Sequence, residues 1–260
     1  MKVAMMQPTF LPWQGYFELL DSCDTFIFED DFQFSTHSYQ QRNRFFVKKL
    51  QPDWDWATVP VIKGSSLQPL NKTLVNYSLP WREKLWRKIE NSYLKTDYFS
   101  EIGPQVRSWL FLTTENLAEL NIGFIKLACQ MMDIHPKFLY SSQMPLQSKR
   151  SQLVLDLLRK SGATQYLCAR GAFGYMYEDK KFPVEDIEVV FQNYNILPYK
   201  QIGAGDLFIP NLSILDALFN IGPTSTLALI RKGKSQWCAW SDMVRNEVPI
   251  LSSGRRTYES

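Results

Sequence analysis

The first 31 residues constrain this chain more tightly than any other stretch. Lys2 to Gln7 is a short apolar run stopped by Pro8, as a buried opening strand is, and Pro12 and Gly15 mark a loop before a helix from Tyr16 to Ser22. Thr25 to Phe28 is the next β-rich run, and it ends in the acidic triplet Glu29, Asp30 and Asp31. Strand, helix and strand in so short a span form a βαβ unit, and that unit requires a parallel sheet.

The rest of the chain continues the alternation. Trp56 to Ile62 reads as a strand, with Pro60 arguing for an edge or a strand end. The middle is helical. Pro80 suits a first turn, and Trp81, Leu85 and Ile89 predict a helix to about Lys95, with Asp97 placed to cap the next one. Leu117, Leu120, Phe124, Leu127 and Met131 mark an amphipathic helix after Thr114. Phe138 to Tyr140 is a short strand, Lys149 to Lys160 a helix stopped by Gly162, and Gln165 to Cys168 a strand. Ile187 to Phe191 is a further strand, and Ile214 to Asn220 and Thr224 to Arg231 are two helices broken at Gly222-Pro223. With no linker-like stretch and no repeat, residues 1–260 read as one α/β domain, a Rossmann-like parallel sheet flanked by helices with a helical middle section and a frayed tail after about residue 252.

Composition narrows the function classes. Apolar residues make up 45% of the chain, enough for a large core, and 29 basic against 26 acidic residues give a net charge of only +3, which argues against a nucleic-acid partner. No apolar stretch approaches the roughly 18 residues of a membrane span, and the four apolar residues after Lys2 are too few for a secretory signal. A cytoplasmic setting is expected. Cys23, Cys129, Cys168 and Cys238 are too scattered for a zinc site or a redox pair, and only His37 and His135 stand beside them, so no zinc and no disulfide are expected. An oxygen-ligand magnesium site remains open.

Open α/β sheets bind ligands beyond the carboxyl ends of their strands, where the next helix also offers its N-terminus. That rule selects Gln7, Trp13, Gly15 and Tyr16 in the first loop as substrate-binding candidates, with Trp13 suited to stacking. An aromatic turn packed on the core explains the same residues equally well. Asp30 and Asp31 can bind magnesium, hold a hydroxyl or act as general base. If they continue the strand they point to opposite faces, and Gln33 on the Asp31 side favours Asp31 as the catalytic one.

Between Ser38 and Lys49 lies the densest polar and basic cluster: Tyr39, Gln40, Gln41, Arg42, Asn43, Arg44, Lys48 and Lys49. Arginine forks grip phosphate bidentately, so Arg42, Asn43 and Arg44 are candidates for an anionic, phosphate-bearing ligand; a solvated basic face is the alternative. His37 beside them is a candidate base. Cys168, at a strand end, could serve as a nucleophile but has no partner base in view, and free cysteines are mostly buried hydrophobes. Ser213 and Asp216 read first as an N-cap arrangement, and His135 as a helix-end cation.

Met6-Gln7-Pro8-Thr9-Phe10-Leu11-Pro12-Trp13-Gln14-Gly15-Tyr16-Phe17, Phe28-Glu29-Asp30-Asp31-Phe32-Gln33-Phe34 and Arg42-Asn43-Arg44 resemble the WbqC-like protein family. Gly162-Ala163, Tyr166-Leu167, Gly171-Ala172 and Phe208-Ile209-Pro210-Asn211-Leu212-Ser213-Ile214-Leu215-Asp216, leading to Asn220-Ile221-Gly222, carry the resemblance to about Arg231. It implies a role in bacterial surface-polysaccharide (O-antigen) biosynthesis, as a transferase that puts an acyl or aminoacyl group on a nucleotide-linked amino sugar, with acyl-CoA or an acyl carrier protein as donor. Where the family tends to carry a histidine before the Gln-Pro pair, this chain has Met6, so a chemistry that depends on that imidazole is missing here. A second likeness, of architecture, is to nucleotidylyltransferases. There two histidines flank a glycine, and Trp13 and Tyr16 stand in their places, so transfer through imidazole is not expected. A non-catalytic nucleotide-sugar or carrier-protein binding protein is the rival reading.

Overall fold

The opening unit forms as its pattern requires. β1 (Lys2–Met6), α1 (Gln14–Ser22) and β2 (Thr25–Phe28) make a parallel crossover, with Val3 opposite Thr25 and Met6 opposite Phe28. The computed structural model describes residues 1–47, 53–64 and 67–252; Lys48, Lys49 and the tail after residue 252 lie outside them.

An antiparallel hairpin follows, β3 (Arg42–Val47) with β4 (Asp53–Thr58), and it forms its own two-stranded sheet. The Arg42-Asn43-Arg44 cluster therefore lies within a strand rather than after one. The strand expected at Trp56–Ile62 both begins and ends earlier, at Asp53 and Thr58, where β4 pairs with β3, with Phe45 opposite Asp55. The helical middle is α2 (Trp81–Tyr93), α3 (Phe99–Phe111) and α4 (Leu117–Met131). Asn116 caps α4 by accepting from the Glu119 amide at 2.9 Å, whereas Tyr98, not Asp97, holds the cap position of α3 and no side chain bonds there.

β5 (Lys137–Tyr140), α5 (Arg150–Ser161), β6 (Gln165–Cys168), α6 (Phe173–Asp179) and β7 (Glu188–Phe191) return the chain to the main sheet. Gly162 ends α5 at φ 78°, a left-handed value that a side chain resists. α7 (Ile214–Gly233) is two helices across a break at Gly222, followed by β8 (Cys238–Ala239) and α8 (Trp240–Ser252).

Among the described residues the main sheet has the order β5-β2-β1-β6-β7-β8, parallel except for β8. Its strands are apolar on both faces because both are covered. Ala4, Phe26 and Phe28 join a core with α1, α2, α3, α4 and α7, while Val3, Met5 and Ile27 join one with α5, α6 and α8. Full burial of each large side chain stabilises by roughly 1.5–3 kcal/mol. No helix among the described residues is long and apolar enough to cross a membrane.

The strand order places the site. From β1 the chain winds outward through β2 to β5, then returns to the other side of β1 for β6 and β7. The reversal falls between β1 and β6, and open α/β sheets bind ligands beyond the carboxyl ends of their strands at such a point.

Candidate active site

Three strand ends supply the polar groups of this edge: Gln7 after β1, Glu29 to Asp31 after β2, and Ser141 and Ser142 after β5. β2 stops at Phe28, so Asp30 and Asp31 occupy a turn in which strand alternation no longer applies. Both carboxylates therefore reach the same hydroxyl, contrary to the expectation that they face opposite ways. Ser141 Oγ lies 3.1 Å from Asp30 Oδ1 and in short contact with Asp31 Oδ1. Asp30 is buried and further held by the Ser142 amide at 3.0 Å and the Ser142 hydroxyl at 2.6 Å, so its oxygens are committed to positioning the turn. Asp31 is exposed.

Glu29, which the sequence offered only as the first acid of the triplet, is the chemically distinctive group. Its backbone amide donates to the Met6 carbonyl at 3.0 Å, which fixes it against the end of β1. Burial, with the Asp31 charge added, pushes its carboxyl from the ordinary 4.5 up to about 8. Burial is also the main reason that the Tyr16, Tyr166 and Tyr175 hydroxyls and the Cys168 thiol are raised, and the Glu29 charge contributes at each. Those neighbours lie on α1, β6 and α6. The Cys168 thiol is fully buried and pushed up to about 12, so it stays protonated and poorly nucleophilic.

The other candidates divide between this edge and two further places. Gln7 faces the hairpin, its Oε1 accepting from Gln40 Nε2 at 2.5 Å, and Tyr16, 1% exposed, donates to the Gln7 carbonyl at 3.3 Å from within the core. Trp13 and Gly15 turn toward α7. Trp13 bridges Ser213, meets Tyr194 edge to face at 5.7 Å, and fills the space over Gly15, where a Cβ would lie 2.3 Å from its ring. The first turn of α1 is thus closed over by protein, with Ile214 N donating to Pro12 O and Tyr194 Oη to Gln14 Oε1, each at 2.8 Å. Behind it Asp216 is fully buried, accepts from Tyr199 Oη at 2.6 Å and Gln201 Nε2 at 2.8 Å, and is raised to about 6 by that burial. Ser213 Oγ caps α7 by accepting from the Leu215 amide at 3.3 Å, as the sequence suggested, but the Asp216 carboxylate serves this network instead of the cap.

On β3 the pleat separates the triad. Asn43 is buried and donates to the Phe10 carbonyl at 3.1 Å and the Leu11 carbonyl at 2.8 Å, bracing the first loop. Arg42 and Arg44 take the opposite face, Arg42 lying 4.1 Å over Trp56, and Arg44 4.6 Å over Trp54 and 5.6 Å over Trp56. His37 and Gln33 are exposed, and the His37 amide donates to Gln41 Oε1 at 3.1 Å from a left-handed turn residue at φ 59°. His135 is exposed and bonded to Asp133 at 2.7 Å, beside the end of α4.

The model of the WbqC-like protein family matches residues 7–227, which takes in the first loop, the acidic turn, the hairpin and the start of α7. The chain belongs to that family. It is similar to an uncharacterized protein of Mycobacterium tuberculosis (strain ATCC 25618 / H37Rv), Rv1507c, at 32% identity over 225 residues, covering 85% of this chain and 94% of that one. No solved structure matches the chain.

Proposed function

We propose that this WbqC-like protein is a transferase that places an acyl or aminoacyl group on the amine of an activated amino sugar destined for a bacterial surface glycan, and that Glu29 is its general base. The observation that carries the reading is Glu29 itself: a half-buried carboxyl at the carboxyl end of β2, beside the sheet's reversal point, titrating at about 8. Near neutral pH such a group is partly ionised and basic enough to take a proton from an attacking amine. The sugar amine adds to the donor's acyl carbonyl, forming the C–N bond. The amine proton passes to Glu29 as the C–S bond of a thioester donor breaks, and Glu29 then returns it to the leaving thiolate. A pantetheine thioester, free or on a carrier protein, fits this balance. Asp31 keeps Glu29 basic by its charge, and the Asp30–Ser141–Ser142 contacts hold the turn that presents both.

Thermal-shift screening of nucleotide-linked amino sugars and acyl-CoA thioesters selects ligands, because a ligand at 100 times its Kd adds about 2.7 kcal/mol of stability. Mass spectrometry then follows acyl transfer between the selected pair. Product from the wild type and little from Glu29→Gln is the expected result. Binding without product across all pairings makes the protein a binding module, and metal-dependent release of pyrophosphate makes it a nucleotidyltransferase.

A further inference from the structure

The outer face of the β3–β4 hairpin is a ladder of cations and aromatic rings with no acid among its described residues. Arg44 stands directly opposite Trp56 in the hairpin register, and Arg42 reaches back over the same ring at 4.1 Å. Neither guanidinium has an ion pair or a side-chain hydrogen bond among the described residues, and the Nε of each is buried without a partner. Elsewhere the protein pairs its arginines readily: Arg231 with Asp21 at 2.9 Å, Arg159 with Asp186 at 2.8 Å and Arg170 with Glu247 at 2.6 Å. Stacking on indole uses the flat faces of Arg42 and Arg44 and leaves their Nη groups, which have no hydrogen bond among the described residues, for an oxyanion.

We infer that Arg42 and Arg44, backed by Trp54 and Trp56, form a binding site for a diphosphate group. The two forks lie two residues apart on one strand face, roughly 7 Å between Cα atoms, and both sit over the Trp56 ring, at 4.1 and 5.6 Å, so they converge on adjacent phosphoryl groups, one fork to each. Held flat by the rings, the forks have lost part of their rotamer freedom before the ligand arrives. The site is linked to the sheet edge, since the Tyr39 ring lies 6.1 Å from that of Trp56 and the next residue, Gln40, bonds Gln7 after β1. The inference rests on the transferase reading only for what the diphosphate carries, namely the activated sugar.

Calorimetric titration of the full chain with inorganic pyrophosphate at low salt tests it, with inorganic phosphate and succinate as comparators. The wild type should bind one pyrophosphate, more weakly as salt rises, and should bind phosphate and succinate at least tenfold less tightly. Arg42→Lys and Arg44→Lys keep the charge and lose the fork, so each should weaken pyrophosphate about tenfold. The two stand on separate rungs, so either alone decides the matter if the other fails to fold. Glu29→Gln should bind pyrophosphate like the wild type, which separates this site from the chemistry at the sheet edge. Absence of saturable binding at millimolar pyrophosphate, unchanged affinity in a folded lysine variant, or equal affinity for succinate overturns the proposal.

Discussion

The edge of the main sheet and the outer face of the hairpin both concentrate charge, and they treat it in opposite ways. At the sheet edge the acids are drawn into the fold: Asp30 is spent on Ser141 and Ser142, and burial drives Glu29 toward its neutral form. On the hairpin the arginines lie on tryptophan and have no acidic partner among the described residues. Proton transfer suits the first arrangement, in which the protein has moved a carboxyl into the working range, and anion capture suits the second, in which unspent donors wait at the surface.

The sharpest way to break the comparison is Glu29→Gln. Turnover should fall by about 100-fold or more, the ordinary contribution of general base catalysis, while pyrophosphate affinity stays unchanged. A variant that keeps full turnover removes Glu29 from the chemistry and leaves the arginine site untouched. The wild-type rate should rise with pH through about 8 as Glu29 ionises, and a flat profile across that range contradicts its role as base.

The same carboxyl also governs stability. Its pKa in the fold lies above its ordinary value, so the stability it lends is complete below the usual carboxyl range and is lost as pH rises through about 8. Glu29→Gln should therefore be more stable than the wild type at pH 9 and equal to it near pH 4, as read by chemical denaturation. The difference should be roughly 2 kcal/mol, because water still reaches the half-buried carboxyl and screens much of the burial penalty. Arg44→Lys, which leaves the Glu29 carboxyl in place, should show no such gain between pH 4 and pH 9.

A smaller effect is expected at the join of the first loop. Gly15→Ala sets a methyl against the Trp13 ring at 2.3 Å and should lower stability by roughly 1–3 kcal/mol through overpacking, with no change in pyrophosphate affinity. The least effect belongs to His37→Asn. This exposed side chain sits in a left-handed turn that asparagine tolerates, so stability should move by no more than about 0.5 kcal/mol, and turnover should stay within twofold. A large loss of turnover makes His37 a catalytic group after all.

Local patterns determined much of the scaffold. The apolar runs at β1, β2 and β6, the spacing of Trp81, Leu85 and Ile89, and the stop at Gly162 express local rules of pleat, helical face and left-handed cap, and each element formed where those rules place it. The hairpin was less legible, because a basic run is compatible with a loop until Trp54 and Trp56 pair across from it. Side-chain roles were decided in three dimensions. Nothing local distinguishes Glu29 from Asp30 and Asp31, and no pattern marks Ser141, 110 residues from Asp31, as the hydroxyl that joins two carboxylates. Desolvation and hydrogen-bond partners are properties of the assembled edge, supplied by β5, β6 and α6 from far along the chain, and they carry a carboxyl out of its ordinary range where sequence neighbours cannot. Pleat direction separated Asn43 from its flanking arginines, and only pairing with β4 showed which of them meets the protein and which faces outward.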